Sequence, residues 1–233
     1  MEALFNIPRI KNHSASMQKS IQFYAERRAA IKASRRDDKT QVLNEIDEAL
    51  DIECSSFFNI LMSELITNYP LNIKVRNKDG IDIVKDFWQW YQFIPASTKY
   101  HDVENGGLYD HCRKQFFNWI KSLAQTGSYY PVERACLVSL AHDFCKLTCY
   151  YYGDDKKWHN LYPETYHHAK KSLELLHALG INTTPDVEAL ILMHMSGFQN
   201  EEDKLAMSLE AKNWLFDLDN MQIMQLLNIA DQR

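Results

Sequence analysis

A chain of 233 residues is long enough for one large domain, or a domain with a smaller appendage, and can bury a sizeable core. A net charge of -5 gives no global drive toward nucleic acid or anionic membranes. Five cysteines without a Cys-x-x-Cys pair argue against a disulfide framework and against a zinc ribbon, so the thiols are expected to be small buried hydrophobes.

Only 7 Gly and 6 Pro leave few turn residues, and the long stretches carry helical periodicity, which predicts an all-α protein. No window approaches the ~18 consecutive apolar residues of a membrane span, and the start lacks a charged-then-apolar signal. No membrane partner and a cytoplasmic location are expected.

In chain order, residues 1–10 read as an extended lead-in, with Pro8 delaying the first helix. From Ser14, the spacing of Met17, Ile21, Tyr24 and Ile31 predicts an amphipathic helix to about Arg36. Its far face carries Arg27, Arg28, Lys32, Arg35 and Arg36, either a solvated face or a contact for nucleic acid. Two joined helices follow between Lys39 and Pro70, and Pro70–Gly80 reads as a loop or short extended turn. That turn is the one candidate seam, dividing an N-terminal helical extension (1–80) from a second helical domain (81–233).

Ile81–Phe93 reads as an aromatic-rich helix closed by Pro95. Asn105-Gly106-Gly107 gives the freedom for a sharp turn, after which a helix from Leu108 to about Ala124 presents His111 one turn in. A further helix begins near Pro131 and runs through Leu147, carrying His142 and Asp143 within an apolar face (Leu137, Leu140, Ala141, Phe144, Leu147). A carboxylate and an imidazole are costly there unless they share a partner such as a metal ion. Tyr150–Thr165 is a long aromatic loop, suited to cover a site and choose its substrate. Helices near Glu164–Ala178, from Pro185, and over about Met221–Ala230 present His167 or His168, His194 and Asp231.

Several strings then follow one order: an entry segment Ile-Pro-Ala-Ser-Thr-Lys-Tyr-His-Asp-Val-Glu-Asn-Gly-Gly-Leu-Tyr-Asp-His ending at His111, His-Asp-Phe-Cys-Lys (His142–Lys146), His-His-Ala-Lys-Lys-Ser around His168, Met-His-Met-Ser-Gly-Phe around His194, and Asn-Ile-Ala-Asp ending at Asp231. Over roughly residues 95–233 this resembles the HD-domain superfamily of metal-dependent phosphohydrolases, in its six-ligand binuclear variant. The resemblance implies an HD-type helical bundle in which His111, His142, Asp143 and Asp231 bind a first divalent metal, Asp143 bridges, and His168 with His194 completes a second site. Mn, Fe, Mg, Co, Ni and Zn all suit such donors. His167 and His168 point about 100° apart on a helix, so only one can face the metals, and the motif selects His168.

The implied activity is hydrolysis of a nucleotide or other phosphate mono- or diester by a metal-bridging hydroxide. Asp143 and Lys146 carry the catalysis, Lys146 contacts substrate phosphate, and His101 in the entry loop is a candidate substrate or gating residue. The chain departs from the family strings at Asp102, which replaces a second entry-loop His, and at Lys170, where relatives often have an acid. These departures leave the metals in place and bear on substrate class. Alternatives are an HD-type mixed-valent di-iron oxygenase with the same ligands, and a nucleic-acid-processing module recruited by the basic N-terminal helix, since the entry segment also resembles HD domains of conjugative relaxases and some exoribonucleases.

Overall fold

The computed structural model describes residues 1–99, 102–161, 168–194 and 205–232. It is mostly helical, with two small antiparallel hairpins. Among the described residues no helix is long and apolar enough to cross a membrane.

Helices α1 (Glu2–Phe5) and α2 (Pro8–Ala33) replace the expected lead-in. Pro8 occupies the first turn of α2, where its missing N–H would have had no helical acceptor, so it starts the helix instead of delaying it. Helix α3 (Lys39–Asn68) is one continuous element, not two, because Ile46, Leu50, Cys54, Phe57, Leu61 and Leu65 hold one buried stripe along it without a Gly or Pro to interrupt. Both long helices pack on α5 (Gly107–Thr126) and α6 (Val132–Ala141), and a single hydrophobic core runs from Leu4 to Ala230.

The stretch after Pro70 differs most from expectation. Strand β1 (Asn72–Arg76) alternates buried Ile73 and Val75 with exposed neighbours, and it pairs with β2 (Asp82–Asp86) through the register Lys74–Val84. The turn is closed by Asn77, whose side-chain oxygen accepts from the Asp79 and Ile81 amides, and by Gly80 at φ 75°. The predicted helix over 81–93 therefore shrinks to α4 (Phe87–Tyr91), started by the Asp86 carboxylate accepting from Gln89 N–H. The aromatics there pack edge-to-face as core: Phe87, Trp88 and Tyr91 surround Phe144 at 5.0–6.0 Å between ring centres.

Helix α5 matches its predicted span. Gly106 begins it at φ 85° and Gly127 ends it at φ 74°. Gly107 is required by close approach: a Cβ there would lie 1.9 Å from the Asp102 carbonyl oxygen, so the entry loop could not fold back on the helix start.

The helix carrying the His-Asp pair stops earlier than predicted. It ends at Ala141 with His142 as its C-cap, turns through Asp143–Cys145, and resumes as α7 (Lys146–Cys149). The polar loop that follows contains a hairpin of β3 (Tyr150–Tyr152) and β4 (Trp158–Asn160). Helices α8 (His168–Ala178), α9 (Pro185–Met193), α10 (Leu209–Leu215) and α11 (Leu218–Asp231) complete the bundle, with α11 packed on α5 and α9 packed on α6.

Candidate metal centre

Three helices, α5, α6 and α11, bring side chains to one place. His111 lies one turn into α5, His142 caps α6, and Asp231 is the last residue of α11. His111 Nε2 is 3.2 Å and His142 Nε2 is 3.1 Å from Asp231 Oδ1. One ligand atom from each of these three residues lies within 4.8 Å of the others. Donors about 2.0–2.2 Å from a common ion stand no more than ~4.4 Å apart, and the separations of both imidazole nitrogens from Asp231 Oδ1 fall within that span. Asp143 Oδ2 adjoins it, 3.3 Å from His142 Nε2 and 3.6 Å from His111 Nε2. The His194 ring lies 5.0 Å from that of His142.

The break after Ala141 explains how the imidazoles are aimed. His142 Nδ1 is 2.8 Å from the Ser139 carbonyl oxygen, and His194 Nδ1 is 2.7 Å from the Ile191 carbonyl oxygen. A carbonyl only accepts, so each Nδ1 carries the proton and each Nε2, in the neutral ring, keeps its lone pair. The same device, a histidine at the C-cap bonding back three residues, thus serves α6 and α9. His111 turns its Nδ1 toward Asp102 Oδ2 at 4.0 Å. Holding the far nitrogen is how proteins orient a metal-binding imidazole.

Charge points the same way. Asp143 and Asp231 are both held well below the ordinary carboxylate range: burial opposes this, but Lys146 and His142 outweigh it at Asp143, and His142 with His111 at Asp231. Burial keeps His111 and His194 neutral, pushing both below the usual imidazole value. Burial also acts against a charge on His142, yet the two carboxylates raise it well above that value. Two carboxylates face one ammonium, that of Lys146, so a buried negative charge is left for a proton or a cation to neutralise. His142 Nε2 is buried and aligned with neither oxygen as a hydrogen bond. An orphaned nitrogen beside surplus negative charge fits a divalent ion.

Lys146 is not a solvated helix-end cation. It is buried with its Nζ on Asp143 Oδ2, and although burial disfavours its charge, the Asp143 carboxylate raises it above the ordinary lysine value. His168 has its Nδ1 3.4 Å from Cys145 Sγ, and four residues later Ser172 Oγ accepts from the Cys145 amide, so α8 docks on the His-Asp turn through one face. Among the described residues His168 joins no group of ligand atoms. His101 and His167 lie outside the described residues.

Two residues beyond the expected set take part. Gln115, four positions after His111 and therefore on the same face of α5, donates from Nε2 to Asp231 Oδ1 at 3.3 Å. Asp102, noted in the sequence only as a departure, accepts from Lys114 at 2.9 Å and faces His111. A cavity of about 310 Å³ bordered by Asp102, Lys114, His111 and Asp231 reaches the centre from the surface. All five cysteines are buried and outside any disulfide, and burial pushes up the thiols of Cys54, Cys136, Cys145 and Cys112, the last to about 11, which suits packing rather than redox chemistry. Of the basic residues expected on one helix face, Arg28 of α2 pairs with Asp47, and Arg36, which lies beyond the end of α2 at Ala33, pairs with Asp38, so part of that charge is committed within the protein.

No family model, curated protein or solved structure matches this chain.

Proposed function

We propose that the protein is an HD-type, metal-dependent phosphohydrolase acting on a nucleotide or other phosphate mono- or diester. The supporting observation is the convergence of His111, His142 and Asp231 beside Asp143, with the two C-cap imidazoles tautomerically fixed to turn Nε2 inward. His111, His142, Asp143 and Asp231 would hold the first ion. A second ion, also part of the proposal, would use Asp143, His194 and His168, with His168 turning from Cys145 to reach it. When bound, divalent ions supply Lewis acidity that acidifies a water molecule and polarises a phosphoryl group.

The chain's own groups then have distinct tasks. Lys146, kept protonated, steadies Asp143 and offers positive charge to a phosphate oxygen. Gln115 and Asp102 orient Asp231 and His111. The buried surroundings limit water and strengthen each electrostatic contact.

The test is metal analysis coupled to an activity screen of nucleotides and phosphodiesters, repeated with His142→Ala and His194→Ala. Hydrolysis should fall with His142→Ala by more than the ~100-fold typical of changes outside the ligand set. Loss with both variants supports two catalytic ions, and loss with His142→Ala alone supports one. A metal-loaded protein that hydrolyses nothing across the screen sinks the reading. Iron content with a mixed-valent resonance and oxygen consumption would move it to the oxygenase alternative.

A further inference from the structure

The two hairpins stand side by side, with β1 touching both β3 and α7, and they enclose a second cavity of about 320 Å³. That volume is within the range of small-ligand sites. The floor and rim of the cavity are aromatic: Trp90, Phe93 and Tyr152 all pack against the buried Trp158 ring at 5.3–5.7 Å. Trp158 is an ordinary core residue, 8% exposed, whereas Phe93 and Tyr152 are 44% and 50% exposed, large apolar faces left toward solvent.

The cavity is also basic in an acidic chain. Arg76, Lys78 and Lys85 line it against one carboxylate, Asp154. Lys78 is paired with Asp154, and Arg76 with Asp82 at 3.3 Å. Lys85 makes no ion pair among the described residues, and its Nζ sits 4.9 Å from the centre of the Trp90 ring. Aromatic faces that accept a flat ring, beside cations that accept an anion, complement a base that carries phosphate.

The aromatic floor of this cavity is joined to the helix that Lys146 begins. Trp90 Nε1 donates to the Leu147 carbonyl at 3.0 Å, which seats the aromatic floor on α7, the helix that Lys146 begins. Tyr150 lines the cavity and lies close enough to Lys146 and Asp143 to feel both charges.

We infer that the cleft between the two hairpins binds a nucleobase that carries phosphate, in a free nucleotide or in a single-stranded nucleic acid, with the base stacked on Phe93 and Tyr152 and the phosphate near Lys85. This names a substrate class for the phosphohydrolase, and it rests on that reading only for the later fate of the phosphate.

Anisotropy titrations of the whole chain with a fluorescent adenosine monophosphate and with a labelled oligothymidylate test it. Phe93→Ala and Tyr152→Ala should each weaken binding by about 5- to 150-fold, the range for loss of one stacking side chain. Lys85→Ala should weaken oligothymidylate binding and lower its salt slope by about 0.7. Phe93 and Tyr152 are exposed and Lys85 is half-buried, so these variants should stay folded, which circular dichroism verifies. Binding of the nucleotide only, or of the oligonucleotide as well, identifies the source of the base, and either supports the cleft. A metal-loaded parent protein that binds the probes but hydrolyses nothing across the screen refutes the enzymology and leaves the cleft standing. Absence of binding by the parent overturns the inference, as does binding unchanged in all three variants or lost only in Arg27→Ala/Arg35→Ala.

Discussion

Asp47 and the Asp143–Asp231 pair are both carboxylate hubs that tie helices together, and they balance charge in opposite ways. Asp47 on α3 accepts from Tyr24 of α2 at 2.8 Å and pairs with Arg28 of α2 and with Lys121 of α5 at 2.6 Å. One carboxylate has two cations and a hydroxyl, so nothing further is needed. At the other hub Lys146 pairs with Asp143 alone, Asp231 has only His111, His142 and Gln115 beside it, and His142 Nε2 is left without an aligned partner. In metal-free protein the second negative charge is balanced only by a proton that the carboxylates hold on His142, a movable charge in a place where an unneutralised ion costs several kcal/mol. A cation could take that proton's place.

The largest effect expected from breaking this contrast comes from Asp143→Ala in chelator-treated protein. Lys146 then stays buried without its counter-charge, and urea unfolding should show a loss of about 3–5 kcal/mol. Adding Lys146→Met should recover much of it, since an apolar side chain of similar length needs no counter-charge. If the single variant unfolds with the parent, Lys146 is not held as the structure has it.

Loading the centre should be nearly as large. An ion at a thousandfold excess over its Kd stabilises the folded state by about 4 kcal/mol, which in a chain of this size raises Tm by roughly 8–16 °C. Asp231→Asn should remove that shift and also cost metal-free protein about 1–3 kcal/mol, since the ionised Asp231 carboxylate faces His111 and His142 there. Equal Tm with and without Mn, Fe, Co, Ni, Zn and Mg would remove the metal centre from consideration.

How much of this could be read in the sequence divides along the same line. The helices of the centre were legible because Leu108, Phe116, Ile120 and Leu123 keep one buried face on α5, and ligand types recur at helix-sized separations. The early end of α6 was not, because Phe144 and Leu147 continue the apolar rhythm across it, and the stop is marked by His142 bonding back to the Ser139 carbonyl, a cap that histidine does not signal in a sequence as Gly or Pro would. The first hairpin was missed for another reason. On β2 both Ile83 and Val84 are exposed, so no alternation marks the strand, and only its pairing with buried Ile73 and Val75 defines it. The aromatic cleft depends on two hairpins meeting and was visible in the sequence only as a run of tyrosines and tryptophans.

The balanced hub should respond more modestly. Asp47→Ala removes the acceptor shared by Tyr24, Arg28 and Lys121, and should cost about 2 kcal/mol. Metal uptake, measured by equilibrium dialysis, should be unchanged. A coupled loss of metal affinity would show that the hubs communicate through α5 and are not separate devices.

The smallest effect is in pH, and it distinguishes the hubs by sign. In metal-free protein the carboxylates raise His142, so its contribution is fully present below its unfolded value of ~6.5 and is lost as pH rises through the folded one. Metal binding needs the same nitrogen deprotonated, so affinity should fall about tenfold, ~1.4 kcal/mol, for each unit by which pH drops below the raised His142 value. Asp47 behaves differently: burial opposes its ionisation, but Lys121 and Tyr24 lower its carboxyl, so its contribution is present above ~3.9 and lost only as pH falls through the lower folded value. Between pH 7 and 5 the metal-dependent part of Tm should therefore shrink while the Asp47 part holds. Calorimetric titration of the ion across that window measures the slope. A flat affinity would mean that no imidazole gives up a proton on loading, and that the ion sits on the carboxylates alone.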